Sequence, residues 1–213
     1  MPEPPPRTIS VSGTGRVGVT PDLADLRLGV TITAKTVEAA RSANGKAMTG
    51  VIAALKALGI VERDIQTTNL SLSPAYDYST NANPPRLTGY TLTNTVAATI
   101  RDIAKVGAAI DGALEAGATS LDSVFFRVDD PAAAEQEARV RAVADARAKA
   151  DTLAAAAGVS IVGVAAIAES GAPVPYPAFS GEMAKVAFAD ASTPVETGTN
   201  EISISVAVTY LID

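Results

Sequence analysis

The stretch LRLGVTITAKTVEAARSANGKAMTGVIAALKAL, residues 26–58, decides the fold class. Leu26, Leu28, Val30 and Ile32 alternate with Arg27, Gly29 and Thr31, the period of a strand with one buried face. Thr36 is then suited to cap a helix. Val37, Ala40, Ala47, Met48, Val51, Leu55 and Leu58 recur at helical spacing, and Gly59 ends the run. Asn44 falls on or beside this apolar stripe, where a hydrogen-bonded structural residue is the expected reading.

The same punctuation continues outward. Residues 8–19 alternate as a strand and Pro21 closes them. Residues 65–76 read as a strand, 77–86 as a loop, and Tyr90, Leu92, Val96, Ala98 and Ile100 as another strand. A helix is predicted from about Asp102 to Ala116, with Ile103, Val106, Ile110 and Leu114 on one side, followed by a strand over 121–128. Asp130 and Pro131 suit a helix start, and that helix reaches about Ala157, with Gly158 beyond it. On it, Glu135/Arg139, Glu137/Arg141, Asp145/Lys149 and Arg147/Asp151 are spaced four apart and read as a solvated face. Residues 159–168 and 202–212 are the last strands.

From 22 to 130 the order is strand-helix-strand twice, the pattern of a ferredoxin-like βαββαβ unit. The fold class is therefore α+β: two layers, antiparallel sheets, helices on one face. Residues 8–21 with 131–213 are expected to form a second, discontinuous α+β unit. Residues 1–7 read as a disordered tail.

The 213 residues carry a net charge of −6 and contain no His, Cys or Trp. These absences exclude disulfides, a Ser-His-Asp or Cys-His nucleophile, and the usual ligand sets of zinc, haem and blue copper. No cofactor is expected. An acidic chain offers no counterion release, so nucleic acid is not an expected partner. The uncharged run between Asp151 and Glu169 approaches a membrane span in length but is rich in Ala and Gly. It reads as helix end, turn and strand. The Pro-rich, acidic start lacks the basic and apolar parts of a signal peptide. Two expectations follow: a cytoplasmic protein, or an exported one whose leader has been replaced by Met1.

Gly13-Thr-Gly-Arg-Val-Gly18 has the GxGxxG spacing, but Val19-Thr20-Pro21 and a strand follow where a dinucleotide site needs a helix. Glycines that thin a strand for an approaching backbone are the better reading. Asp22 with Asp25, and Asp129 with Asp130, are acidic pairs that could hold a cation or serve a hydrolase. Their places at a strand entrance and a helix start suffice structurally. Asn69-Leu-Ser71 fits the glycosylation pattern but lies in a predicted strand. Tyr76, Tyr78 and Tyr90 flank one loop and suit an interface. Residues 171–200 lack periodicity yet carry Tyr176, Phe179, Met183, Val186 and Phe188. This long loop is predicted to pack on a second subunit, and those five residues are its candidate interface.

The ordered set of segments resembles the SIMPL-domain family. It runs from Ile9-Ser-Val-Ser-Gly-Thr-Gly-Arg-Val-Gly-Val-Thr-Pro-Asp22 to Asp64-Ile-Gln-Thr-Thr-Asn-Leu-Ser-Leu72 with Pro74, Tyr76 and Tyr78. It continues through Gly89-Tyr90, Asn94, Val96, Ile100-Arg-Asp102, Gly117-Ala118, Phe126, Asp130-Pro131 and Glu137-Ala-Arg139. Ala146, Lys149-Ala150, Leu153-Ala154 and the closing Ile202-to-Tyr210 strand complete it. The resemblance implies an exported bacterial envelope protein, periplasmic or secreted, that forms ring- or channel-like homo-oligomers and is loosely tied to oxidative-stress tolerance. It carries no family-wide catalytic set. The expected function is non-enzymatic, with the chain itself as partner, no transmembrane segment and a possible association with the envelope. The alternatives are a small-molecule or peptide binding module between subunits, and a carboxylate-based, divalent-ion-dependent hydrolase.

Overall fold

The computed structural model describes residues 5–78, 85–170, 176–178 and 193–213. The elements are β1 (Thr8–Val19), β2 (Leu23–Ala34), α1 (Val37–Ala57), β3 (Ile65–Asp77), β4 (Arg86–Ile100), α2 (Val106–Glu115), β5 (Ser120–Arg127), α3 (Ala132–Ala157), β6 (Ile161–Ser170), β7 (Tyr176–Ala178) and β8 (Thr199–Ile212). The fold is α+β, with two antiparallel sheets. The described residues divide into two compact units. One takes β1, α3, β6, β7 and β8. The other takes residues 22–127 together with 193–197.

In the second of these, the sheet order is β3-β4-β2-β5. Leu26, Leu28, Val30, Val96, Ala98 and Ile100 fill the face beneath the helices. Met48, Val51 and Leu55 of α1 and Val106, Ala109, Ile110 and Ala113 of α2 descend on them. Burying each of the larger side chains contributes about 1.5–3 kcal/mol. Thr36 caps α1, its hydroxyl accepting from the Ala39 N–H at 3.2 Å. Asn44 is buried and donates to the carbonyls of Val30 and Leu92 at 2.7 and 3.2 Å, so it is the satisfied structural residue expected. Two members of the predicted apolar stripes, Val37 and Leu114, are instead exposed. The helix predicted from Asp102 begins with a 3-10 turn, Ile103–Lys105, and Asp102 makes no side-chain cap.

In the other unit the order is β1-β8-β6, and β7 also pairs with β8. Ile202, Ile204, Val206, Val208 and Tyr210 of β8 and Val17 of β1 lie under α3. The start of α3 falls one residue later than predicted. Pro131 is its N-cap residue, and Asp130 Oδ1 accepts from the Ala132 N–H at 3.0 Å. Gly158, at φ 69°, ends the helix in the left-handed conformation that favours glycine.

The predicted loop of 171–200 is interrupted by β7, and β8 starts within it at Thr199. Val195 packs against the core under α1 and α2, and Thr193 bonds to Asp111 of α2 through both its N–H and its hydroxyl. Residues 193–197 thus belong with the unit of 22–127 rather than with 131–213.

Candidate functional site

A sheet that does not close must do something with its edges, because an exposed strand offers a row of unpaired N–H and C=O groups. The two units treat their edges differently, and the difference starts with side-chain size. The face of α3 that meets its sheet is Ala138, Ala142, Ala146, Ala150 and Ala154, all buried. Opposite them are Gly13 and Gly15. A Cβ on Gly13 would collide with the Ala142 carbonyl and the Ala146 nitrogen, and one on Gly15 with the Ala138 carbonyl and the Ala142 nitrogen. The helix therefore lies on the backbone of β1 itself. From that distance its charged side chains reach around the strand. Asp145 Oδ2 accepts from the Thr14 N–H at 2.8 Å. Lys149 Nζ donates to the Ser12 carbonyl at 3.0 Å, and Arg141 Nη1 to the Arg16 carbonyl at 2.7 Å. Successive residues of a strand point their backbone groups to opposite sides, so Ser12, Thr14 and Arg16 share the outward side. The edge of β1 is thus occupied by side chains of its own helix.

The other unit leaves β3 open. Among the described residues, β3 pairs with β4 and with no strand on its other side. The orientation of its backbone follows from the sheet. The Thr31 N–H bonds to Thr119, on the β5 side of β2. Even-numbered residues of β2 therefore bond to even-numbered residues of β4, and odd-numbered residues of β4 to odd-numbered residues of β3. Leu70, Leu72 and Pro74 are left with their backbone groups facing outward. Pro74 agrees, since a proline in a sheet belongs where no N–H is required. Leu70 is 65% exposed, Leu72 46% and Tyr76 44%. Residues 65–76 contain no charge, and Asn69 to Ala75 pair with β4 in unbroken register. Side chains of Asn69, Ser71 and Ser73 share the sheet face opposite the helices with Thr31, Thr33, Thr91 and Thr93. On that face Thr31 bonds to Thr93 at 3.1 Å and Thr33 to Thr91 at 2.8 Å. On the helix-side face Asn94, opposite Leu70, holds a buried Oδ1 without a hydrogen bond among the described residues.

Two other edges carry protection of a different kind. β5 is short and bears Asp122 and Arg127. β6 exposes Val162, Val164 and Ile167, but its register with β8 shifts twice within a few residues, and Glu169 is bonded to Arg139 at 2.9 Å. Bulges and charges are common protections of an edge.

At the far end of the β3–β4–β2–β5 sheet, Arg127 Nε donates to Asp25 Oδ2 at 2.7 Å, and the Thr99 hydroxyl donates to Asp25 Oδ1 at 2.6 Å. Burial works to raise the Asp25 carboxyl, and the Arg127 and Thr99 bonds outweigh it, holding it below the usual carboxylate range. Arg101 grips Asp64 through Nε and Nη2 at 3.0 and 3.2 Å, and that bond outweighs burial, which works to raise the carboxyl, and holds Asp64 below the usual carboxylate range. Asp64 and Arg101, with Leu58, Ile60, Arg63 and Lys105, line a cleft of about 220 Å³. Among the described residues no group of three or more Asp or Glu could hold a metal ion.

The chain has recognisable relatives. The SIMPL family, described as a protein of unknown function (DUF541), matches residues 9–210. The chain belongs to the SIMPL family. The 26 kDa periplasmic immunogenic protein of Brucella melitensis is 38% identical over 213 residues, covering 97% of this chain and 85% of that protein. The uncharacterized protein YggE of Escherichia coli K12 is 34% identical over 146 residues, 68% of this chain and 58% of that protein.

The candidate residues of the SIMPL chain fall as follows. Tyr176 lies in β7, whose main chain pairs with Glu201. Phe179, Met183, Val186 and Phe188 lie outside the described residues. The GxGxxG glycines lie within β1, where Gly13 and Gly15 admit a helix backbone, as the strand-thinning reading expects. Asn69 and Ser71 lie in β3. The Tyr76 and Tyr78 rings stand 6.3 Å apart, tilted by 60°. All four i,i+4 ion pairs of α3 form. The sequence reading missed that Arg141, Asp145 and Lys149 also close the β1 edge. The clue was the glycine pair: a helix admitted that closely brings its flanking side chains onto the strand.

Proposed function

We propose that this SIMPL protein works in the bacterial envelope as an exported, non-enzymatic protein that self-associates and binds or scaffolds. The periplasmic assignment rests on the name of the Brucella relative. Among the described residues no helix is long and apolar enough to cross a membrane. A ring- or channel-like homo-oligomer and a part in oxidative-stress tolerance are what the family resemblance adds. Self-association rests on one observation above others: β3 is an edge strand among the described residues, without charge over residues 65–76, exposed along most of its length, with Leu70 and Leu72 turned to solvent.

The non-enzymatic reading draws support from the carboxylates. Among the described residues, every aspartate with a resolved shift is pushed down by a cationic or hydroxyl donor: Asp25, Asp64, Asp111 and Asp145. A general acid in a hydrolase needs the opposite shift. Sedimentation velocity of the purified chain over a wide concentration range tests the proposal. Self-association is the expected result, and a strict monomer at high concentration contradicts it.

A further inference from the structure

We infer that the β3 edges of two copies pair with each other, antiparallel and about a two-fold axis at Ser71. This rests on the self-association proposed above and names its surface. A symmetric contact of this kind requires a strand complementary to itself. β3 meets the requirement. Its outward backbone groups are those of Leu70 and Leu72, so Leu70 of one copy lies opposite Leu72 of the other. Each such pair exchanges both of its backbone hydrogen bonds.

Pro74, which can accept but not donate, falls beyond these pairs and opposite the irregular step near Thr68. The one bond that proline cannot donate therefore falls where the strand is already irregular. The leucines of both copies meet on the helix-side face and cover each other. On the opposite face Ser71 meets its own equivalent. The row of hydroxyls from Thr31, Thr93 and Ser71 then continues into the second copy.

Charge selects this occupant. Like charges opposed across a strand pair destabilise it, and residues 65–76 hold none to oppose. The other edges do not qualify. That of β1 is filled by Asp145, Lys149 and Arg141, β5 is shorter and carries Asp122 and an Arg127 already bonded to Asp25, and β6 is broken by its two register shifts.

The cysteine-free chain provides a clean test. Ser71 is exposed, so Ser71→Cys leaves the fold intact. At the two-fold axis the two Cα atoms stand roughly 4.5 Å apart, within reach of a disulfide. Under mild oxidation at low protein concentration, Ser71→Cys is expected to convert mostly to a covalent dimer. Val164→Cys on β6 and Ser123→Cys on β5 are expected to stay monomeric on denaturing gels. Two results overturn the inference. One is a wild type that self-associates while Ser71→Cys fails to cross-link, which leaves the proposed self-association standing. The other is equal cross-linking at all three sites. A monomeric wild type would remove both the inference and the function it rests on.

Discussion

The helix α3 and the helix α1 each cover a sheet, and they do so at different ranges. Where α1 meets β2 and β4, Met48, Val51 and Leu55 interlock with Leu28, Val30 and Val96. Large side chains hold that helix away from the backbone, and it sits over the two central strands. Where α3 meets β1, alanine meets glycine and backbone meets backbone. The first arrangement removes more apolar surface from water per residue. The second brings Arg141, Asp145 and Lys149 within reach of the edge strand. The comparison teaches that small residues in a helix–sheet contact can close an edge as well as fill a layer. In the unit that packs with large residues, β3 has no such cover among the described residues.

The largest effect should come from breaking the close contact. Gly15→Val drives a side chain into the Ala138 carbonyl, which cannot give way as a side-chain tip would. A loss of about 4 kcal/mol is expected in urea unfolding, at the severe end of overpacking. Leu55→Ala makes the opposite error in the other unit, a cavity where packing had been tight. The expected loss is about 3 kcal/mol by the same measurement. A smaller effect for Gly15→Val than for Gly18→Val, whose added Cβ meets only Thr199 at 3.6 Å, would show that α3 does not lie on the backbone of β1.

Asn44→Leu should cost about 2 kcal/mol, because the Val30 and Leu92 carbonyls lose a buried donor.

Acid sharpens the comparison through Asp25 in one unit and Asp145 in the other. Both carboxyls are held below their unfolded value, Asp145 by Lys149 and by the Thr14 N–H. A depressed folded pKa contributes stability at pH values above the unfolded pKa of about 3.9, and that contribution is lost as pH falls through the folded pKa. Unfolding free energy should therefore decline below about pH 4. Asp25→Asn and Asp145→Asn should each flatten that decline in an acid titration. A variant as steep as the wild type would remove that aspartate from the account.

Much of this was legible in the sequence. The alternation from Ile202 to Ile212 marks β8, and the stripe from Ala40 to Leu55 marks the buried face of α1. Gly13 and Gly15 pointed to a close backbone approach before any partner was known. What remained hidden depends on tertiary placement. Periodicity says that Leu70 and Leu72 share a face of β3, and it cannot say that both are left exposed. The i,i+4 pairs on α3 mark a polar face, and only the position of β1 turns three of their members into edge caps. Val195 shows the same limit: a single apolar residue in an aperiodic stretch has no pattern to announce the core it joins.

The central claim is that the β1 edge is closed from within while the β3 edge is open to a second copy. Sedimentation velocity of wild type, Ser71→Lys, Ser71→Asp and an equal mixture of the two variants tests it most directly. Each variant alone opposes like charges at the two-fold axis and should sediment as a smaller species than the wild type. The mixture opposes unlike charges and should recover the larger species. If both variants self-associate as the wild type does, β3 is not the surface at which copies meet.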